Sequence, residues 1–597
     1  MSQDTLRAAD PVLGRLADAI LIPPFPSLDA PGWILDALGR GLAGVTLFGQ
    51  NIAAPGQVSA LTAELRAAAA DYDPVIATDE EGGDVTRVAY DDGSPYPGNA
   101  ALGAVDDVAL TQAVHRAIGL DLAALGINFD LAPCADVLGT ADSPAVGTRS
   151  FGADTALVSR HVAAAVAGLQ SAGVAACTKH FPGHGRTGTD THHAIATIEG
   201  SLAELRLVDL PPFEAAIRAG TLGVMPSHLR VPELTGDLPA TVSAAAITGL
   251  LRGELGFTGV IVSDALEMRA TRDMFGIPGA AVLAVAAGTD LLCLGRQGGE
   301  AEYLAVREAL VAAVRDGSLD GARLEEAADR VARLRGGLAR ARLSGAIPPD
   351  TISAGPVSAG PVSAGAGQPG PVSDGAGQPG PVLAGTVNIA GSGITDPDYP
   401  SQENTTPGVG LVAARRAVRV SGPRRTLDQP VIIEIEPREN IAAGQFGWGL
   451  GPWAPPGSVR RVSSSGRPVN GTRPGAASDG GTSTASGTGA VGDTSAVGDT
   501  SADDRTSSDG GTESGRDAVA RILAASAGRS LVVAVRDAHR DQRTLALISA
   551  LLAARPDLVL IEMGLPFWHP PEGTSYLATY GASRASAQAA AEFLGLV

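Results

Sequence analysis

Over roughly the first 345 residues, short and almost wholly apolar runs alternate with longer Ala/Leu-rich stretches. Eight apolar runs recur: AILIP (19–23), GVTLF (44–48), PVIAT (74–78), INFDL (127–131), GVAACT (173–178), GVMPS (223–227), GVIVS (259–263) and DLLCL (290–294). Unbroken apolar runs of this length, bounded by turn residues, are the pattern of strands covered on both faces. Between them lie helical segments such as QVSALTAELRAAAA and ALVSRHVAAAVAGLQSAG. Strand–helix alternation builds a mostly parallel sheet, because each helical crossover returns the chain to the same end. Eight repeats in this length predict an α/β fold of the (β/α)8, TIM-like barrel type over residues 1–348.

From about Leu343 the pattern breaks. Residues 355–386 repeat Pro, Gly, Ser and Ala and cannot bury a core, which predicts a disordered linker over 349–390. A second tract of this kind, with AVGDTS repeats, is expected over 457–516. Around it, GVGLVAARRAVRVSG, QPVIIEIEP, SLVVAVRDA and DLVLIEMG read as strands or strand–helix starts, and TLALISALLAAR and SRASAQAAAEFLG as amphipathic helices. These pieces predict a smaller α/β sandwich domain made of 391–456 and 517–597, interrupted by the second tract as a surface insertion.

Charge and composition narrow the partners. With 44 Lys and Arg against 64 Asp and Glu, the formal charge of −20 argues against nucleic acid and anionic membrane surfaces. Any anionic ligand must then be held by local Lys and Arg. The three cysteines, Cys134, Cys177 and Cys293, sit in apolar runs as small buried hydrophobes, and an odd, sparse count fits a reducing compartment. The N-terminus lacks a basic region followed by an apolar core, and no run of 18 apolar residues is present. A cytoplasmic protein is the expectation.

Polar residues fall where a barrel would place its chemistry. Asp79 follows the third strand, Asp136 and Arg149 the fourth, Lys179 and His180 the fifth, His228 the sixth and Asp264 the seventh. The carboxyl ends of the strands are the face on which barrel enzymes build active sites. The densest stretch is KHFPGHGRTGTDTHH (179–193), which holds four of the nine histidines. A single histidine is usually a satisfied core or surface residue, but four in one Gly/Pro-rich loop point to chemistry. His184, Asp190, His192 and His193 are possible metal ligands. Alternatively Asp190 orients His192 for proton transfer, and the Asp-x-His spacing fits this better, since neither a zinc Cys pair nor an HExxH helix is present. Asp264, ending GVIVSD, reads first as a helix N-cap and second as a carboxylate nucleophile.

Taken together, KHFPGHG with Asp-x-His beyond it and SDALEM (263–268) closely resemble family 3 glycoside hydrolases, specifically their β-N-acetylglucosaminidase branch. LFGQNI (47–52), DEEGG (79–83), GINFDLAPCADV (126–137), GTRSFG (147–152) and PATVS followed by ITGLLRGELGF (239–257) match in order, over about residues 10–345. The C-terminal pieces are similar, more loosely, to the second domain of two-domain members. The resemblance implies a retaining exo-β-N-acetylglucosaminidase in which Asp264 is the nucleophile, His192 the acid/base and Asp190 its partner. It implies that Asp79, Arg87, Arg149, Lys179 and His180 hold the sugar, with no metal and no cofactor. The partner is a small carbohydrate, with cell-wall muropeptides or GlcNAc oligosaccharides as expected substrates. Phosphate in place of water as acceptor, a β-glucosidase or xylosidase, and a non-catalytic sugar-binding protein are the alternatives. One departure is Asp84, which stands where the family usually has Arg after DxEGG, so an ion pair there is expected to be lost or reversed.

Overall fold

The computed structural model describes residues 3–139, 143–188, 195–198, 200–344, 408–437, 447–465, 467–469 and 515–597. The eight expected strands form: β1 (Leu21–Ile22), β2 (Gly44–Thr46), β3 (Val75–Thr78), β4 (Phe129–Asp130), β5 (Ala175–Phe181), β6 (Gly223–Pro226), β7 (Val260–Ile261) and β8 (Leu292–Cys293). β2 to β7 make one parallel sheet in sequential order, and β1 pairs in parallel with β8. A parallel bridge from Val262 to Leu291 joins the segment after β7 to the start of β8. The Thr46 amide donates to Pro23 O at 3.3 Å, tying the end of β1 to β2. The coarse expectation, an α/β fold around parallel strands in chain order, is met.

The crossover helices form for local reasons. Helix Thr155–Ser171 starts where the Asp154 carboxylate accepts from the Leu157 amide at 2.7 Å, and helix Val108–Ala124 starts on Asp107 in the same way. Such caps satisfy amides that have no intrahelical partner. Val158, Val162, Ala165, Val166 and Leu169 recur on one face and are buried. Burying each of the larger side chains contributes about 1.5–3 kcal/mol. Gly168 lets the two helices touch, since a Cβ there would lie 2.5 Å from Gln112 O. Gly173, at φ +85°, then turns the chain into β5.

Residues 408–597 build a second sheet. Its strands are β9 (Arg419–Ser421), β10 (Val431–Ile435), β11 (Val459–Val462), β12 (Leu531–Val535), β13 (Val559–Glu562) and β14 (Ser575–Ala578), in the order β11-β10-β12-β13-β14-β9. All pairs are parallel except β14–β9. Alternate residues face opposite layers: Ile433 and Val533 pack with Ile548 and Leu551, whereas Ile432 and Val532 pack with Ala587 and Ala590.

Three expectations need correction. β5 does not end at Thr178 but runs to Phe181, so Lys179 and His180 belong to the strand rather than to the loop after it. The tract read as disordered from 457 contains β11 at 459–462, paired with β10 and anchored by buried Val462. β14 has no counterpart in the expected strands. Residues 470–514 and the linker 349–390 lie outside the described residues.

Candidate active site

A cavity of about 470 Å³ opens at the carboxyl ends of the parallel strands. Asp79, Arg87, Arg149, Lys179, His180 and Asp264 all line it, so six of the eight residues expected from sequence converge on one space. Asp190 and His192, like His193, lie outside the described residues. The chain is anchored on both sides of them. Arg186 pairs with buried Asp209 at 2.7 Å on one side; on the other, Ile198 N donates to Arg230 O and Arg230 N to Ala196 O.

Lys179 is the hub of the charged floor. Its Nζ lies 2.7 Å from Asp79 Oδ1 and 2.8 Å from Glu81 Oε1, and the side chain is almost fully buried. Arg149 grips Glu81 through Nε and Nη2, at 2.9 and 2.7 Å, and donates to Ala145 O at 2.9 Å. Burial alone would push the Glu81 and Asp79 carboxyls up. Arg149 and Lys179 more than offset this at Glu81, and Lys179 and Arg87 do so at Asp79, leaving both below the usual carboxylate range. The same contacts hold Lys179 protonated by raising its pKa against the opposing effect of burial.

The Arg149 Nη2 also lies 3.2 Å from His180 Nε2. A guanidinium has only donors, so Nε2 accepts and the ring proton sits on Nδ1. Nδ1 then donates to Asp136 Oδ2 at 2.8 Å. Asp136 also accepts from the amides of His180 and His184 and from the Cys134 thiol. Burial raises its carboxyl, but the His180 contacts outweigh this and keep it well below the ordinary value. His184 packs edge-on to His180, with centroids 5.9 Å apart, and burial lowers its pKa to about 4. Cys134, Asp136 and His180 are close enough to share a cation. The Cys134 thiol, however, is pushed far up by burial and donates to Asp136, so the group is accounted for as a hydrogen-bonded chain.

Asp264 follows β7. Just before it, Ser263 donates its amide to Leu291 O and accepts from the Cys293 amide through Oγ, which fixes the strand end. The helix-cap reading fails: the next helix, Arg269–Ala287, is capped at Met268, and Asp264 faces the cavity. Its Oδ1 accepts from the Ala265 amide at 2.8 Å. Beneath it, buried His228 contacts Thr241 Oγ1 at 2.8 Å and donates from Nε2 to Ala265 O at 2.9 Å. His228 braces the backbone next to Asp264.

Residues absent from the sequence-derived set also line the space. Glu81 completes the Lys179–Arg149 clamp, and Gln50, Tyr90, Glu267 and Arg296 form part of the rim. Glu81 carried a signal, two positions after Asp79 in DEEGG; of the rim residues, Gln50 lies in LFGQNI and Glu267 in SDALEM, while Tyr90 and Arg296 carried none. Asp84 makes a buried ion pair in this chain. It accepts from Arg536 of the C-terminal sheet at 2.9 Å, from Thr148 Oγ1 at 2.7 Å and from the Ala582 amide at 2.9 Å.

The model of the glycosyl hydrolase family 3 N-terminal domain matches residues 34–334. This chain belongs to glycosyl hydrolase family 3. A β-hexosaminidase of Stenotrophomonas maltophilia is 40% identical to this family 3 hydrolase over 256 residues, covering 42% of this chain and 75% of that one. The β-hexosaminidase LpqI of Mycobacterium tuberculosis is 36% identical over 279 residues, 46% of this chain and 71% of its own. Among solved structures, a family 3 β-N-acetylglucosaminidase from Paenibacillus sp. superposes with a TM-score of 0.72 at 28% identity, covering 98% of this family 3 chain and 97% of that one.

Proposed function

We propose that this glycoside hydrolase is a retaining exo-β-N-acetylglucosaminidase. The observation that carries the reading is Asp264, a carboxylate that does not cap the next helix and lines the same cavity as Lys179, Arg149 and His180. Its carboxylate attacks the anomeric carbon as the glycosidic C–O bond breaks, and the leaving oxygen takes a proton from His192. His192 then removes a proton from water, which attacks the anomeric carbon, expels Asp264 and releases the sugar with its β configuration kept. Asp190, two residues earlier, orients the imidazole. Asp79, Arg87, Arg149, Lys179 and His180 hold the hydroxyl and N-acetyl groups through donors and acceptors already fixed by Glu81 and Asp136. The resemblance to the named β-hexosaminidases supports this substrate class. We further read the eight parallel strands as one closed (β/α)8 barrel and residues 408–597 as a second domain.

The test is release of nitrophenol from aryl β-N-acetylglucosaminide and aryl β-glucoside, each with and without phosphate. Turnover of the first alone, giving free GlcNAc, supports the reading; GlcNAc-1-phosphate would make phosphate the acceptor, and turnover of neither would sink it. Asp264→Ala should nearly abolish activity. His192→Ala should lose about 10²–10⁴-fold on poor leaving groups and much less on good ones, because protonation then matters little. Equal losses on both would remove His192 as the acid.

A further inference from the structure

Among the described residues the C-terminal segment contributes none to the cavity lining, yet it grips two of the loops that do. The loop after β4 carries Arg149 in a tight turn: Gly147 N donates to Ser143 O, Arg149 N to Val146 O and Ser150 N to Gly147 O. Arg540 Nη2 donates to Ser143 O at 3.0 Å, at the start of this turn. Leu565 packs against Val146, Leu138 and Cys134. Asp84, on the loop after β3, holds Thr148 Oγ1, and Arg536 supplies its counter-charge in a buried pair. Three residues before Asp84 on the same loop, Glu81 holds the Arg149 guanidinium. The backbone beside Arg149 and its side chain are thus both held from one loop, and that loop is held from the C-terminal sheet. The Tyr90 carbonyl at the cavity rim accepts from the Gly447 amide at 3.3 Å, a further grip on the loop after β3.

We infer that Arg536, through Asp84 and Thr148, and Arg540, through Ser143, are positioning residues that set the Arg149 guanidinium in the sugar site. A buried pair such as Arg536–Asp84 is a weak source of net stability but a strong constraint on geometry, because leaving either charge alone is costly. A displacement of about 1 Å in a substrate-orienting group can cost about 10²-fold in rate. The C-terminal sheet therefore acts on catalysis without touching substrate.

Two measurements on the full chain test this, of which only the kinetic one rests on the proposed activity. The first is amide hydrogen exchange in Arg536→Met and Arg540→Met. Peptides spanning 143–150 should exchange at least about tenfold faster than in the wild type, with peptides of β5 unchanged. The second is kcat/KM on an aryl β-N-acetylglucosaminide, measured in the wild-type and Arg149→Lys backgrounds. Arg536→Met should lose at least about tenfold in the first and much less in the second, because the two residues act through one interaction. Unchanged exchange at 143–150 overturns the inference. So does the same fold-loss in both backgrounds, which marks a merely structural contact. Should Arg536→Met fail to fold, Asp84→Asn/Arg536→Met leaves no lone buried charge and serves in its place. If the wild type turns over no β-N-acetylglucosaminide, the proposed activity falls and the exchange measurement decides alone.

Discussion

Replacing Lys179 with Met keeps the aliphatic stem and removes the ammonium that joins Asp79 to Glu81. Its two contacts, at 2.7 and 2.8 Å, are each worth about 6 kcal/mol gross at an effective dielectric near 20. Much of this only offsets the desolvation of a side chain buried to 3% exposure, and breaking such a pair costs about 3–5 kcal/mol net. Glu81 keeps Arg149, but Asp79 is left with Arg87 at 3.6 Å. With an unfolding entropy of about 2.1 cal/mol/K per residue over segment 3–344, that loss lowers Tm by about 4–7 °C. The pH dependence has a definite sign. In the wild type the Asp79 carboxyl lies below its unfolded value, so its contribution is present above that value and fades as pH falls through the folded one. Without Lys179, burial drives the carboxyl upward, and stability is instead lost as pH rises. The gap between wild type and Lys179→Met should therefore widen from about pH 5 to about pH 7.5 in thermal scans. A Tm change below about 1 °C at pH 7.5, or a larger gap at pH 5, would refute the charged-hub account.

Glu80 behaves in the opposite sense. Burial raises its carboxyl from 4.5 to about 7, although its Oε2 accepts from Thr86, Arg87 and Val88. The wild type should lose stability as pH rises from about 4.5 to about 7, whereas Glu80→Gln, whose amide oxygen can accept the same three bonds, should show no such slope. By pH 8 the variant should be the more stable by up to about 3 kcal/mol in calorimetry. His228→Phe should fill its site but free the Ala265 carbonyl beside Asp264; kcat should fall about 10–100-fold with KM nearly unchanged in steady-state assays.

The eight N-terminal strands were legible because both faces of a parallel strand are buried, so each reads as an apolar run. β11 was hidden by its sequence, VRRV: Arg461 reaches Glu434 at 3.0 Å and lies over Trp448, so two charges sit in a paired strand. β14 was hidden by Ser575 and Tyr576, which are buried in the fold but look polar in sequence. Site residues that follow strands were located by strand position alone. Their partners were not, because pairing depends on distance in space. Glu81 meets Arg149 across 68 positions and Asp136 meets His180 across 44. Asp84, noticed as a departure, finds its cation 452 positions away, beyond any local pattern.

That last separation has a bearing on how the protein is made. Ribosomes add about 5–20 residues per second, so Asp84 emerges roughly 20–90 s before Arg536. During that interval the N-terminal strands can fold, since from beyond residue 344 their core draws only Ala413 and the partly buried Val409. Until the last sheet docks, the turn bearing Arg149 lacks the bond from Arg540, and Asp84 beside it lacks Arg536. Synthesis thus separates the birth of the fold from the completion of its pocket.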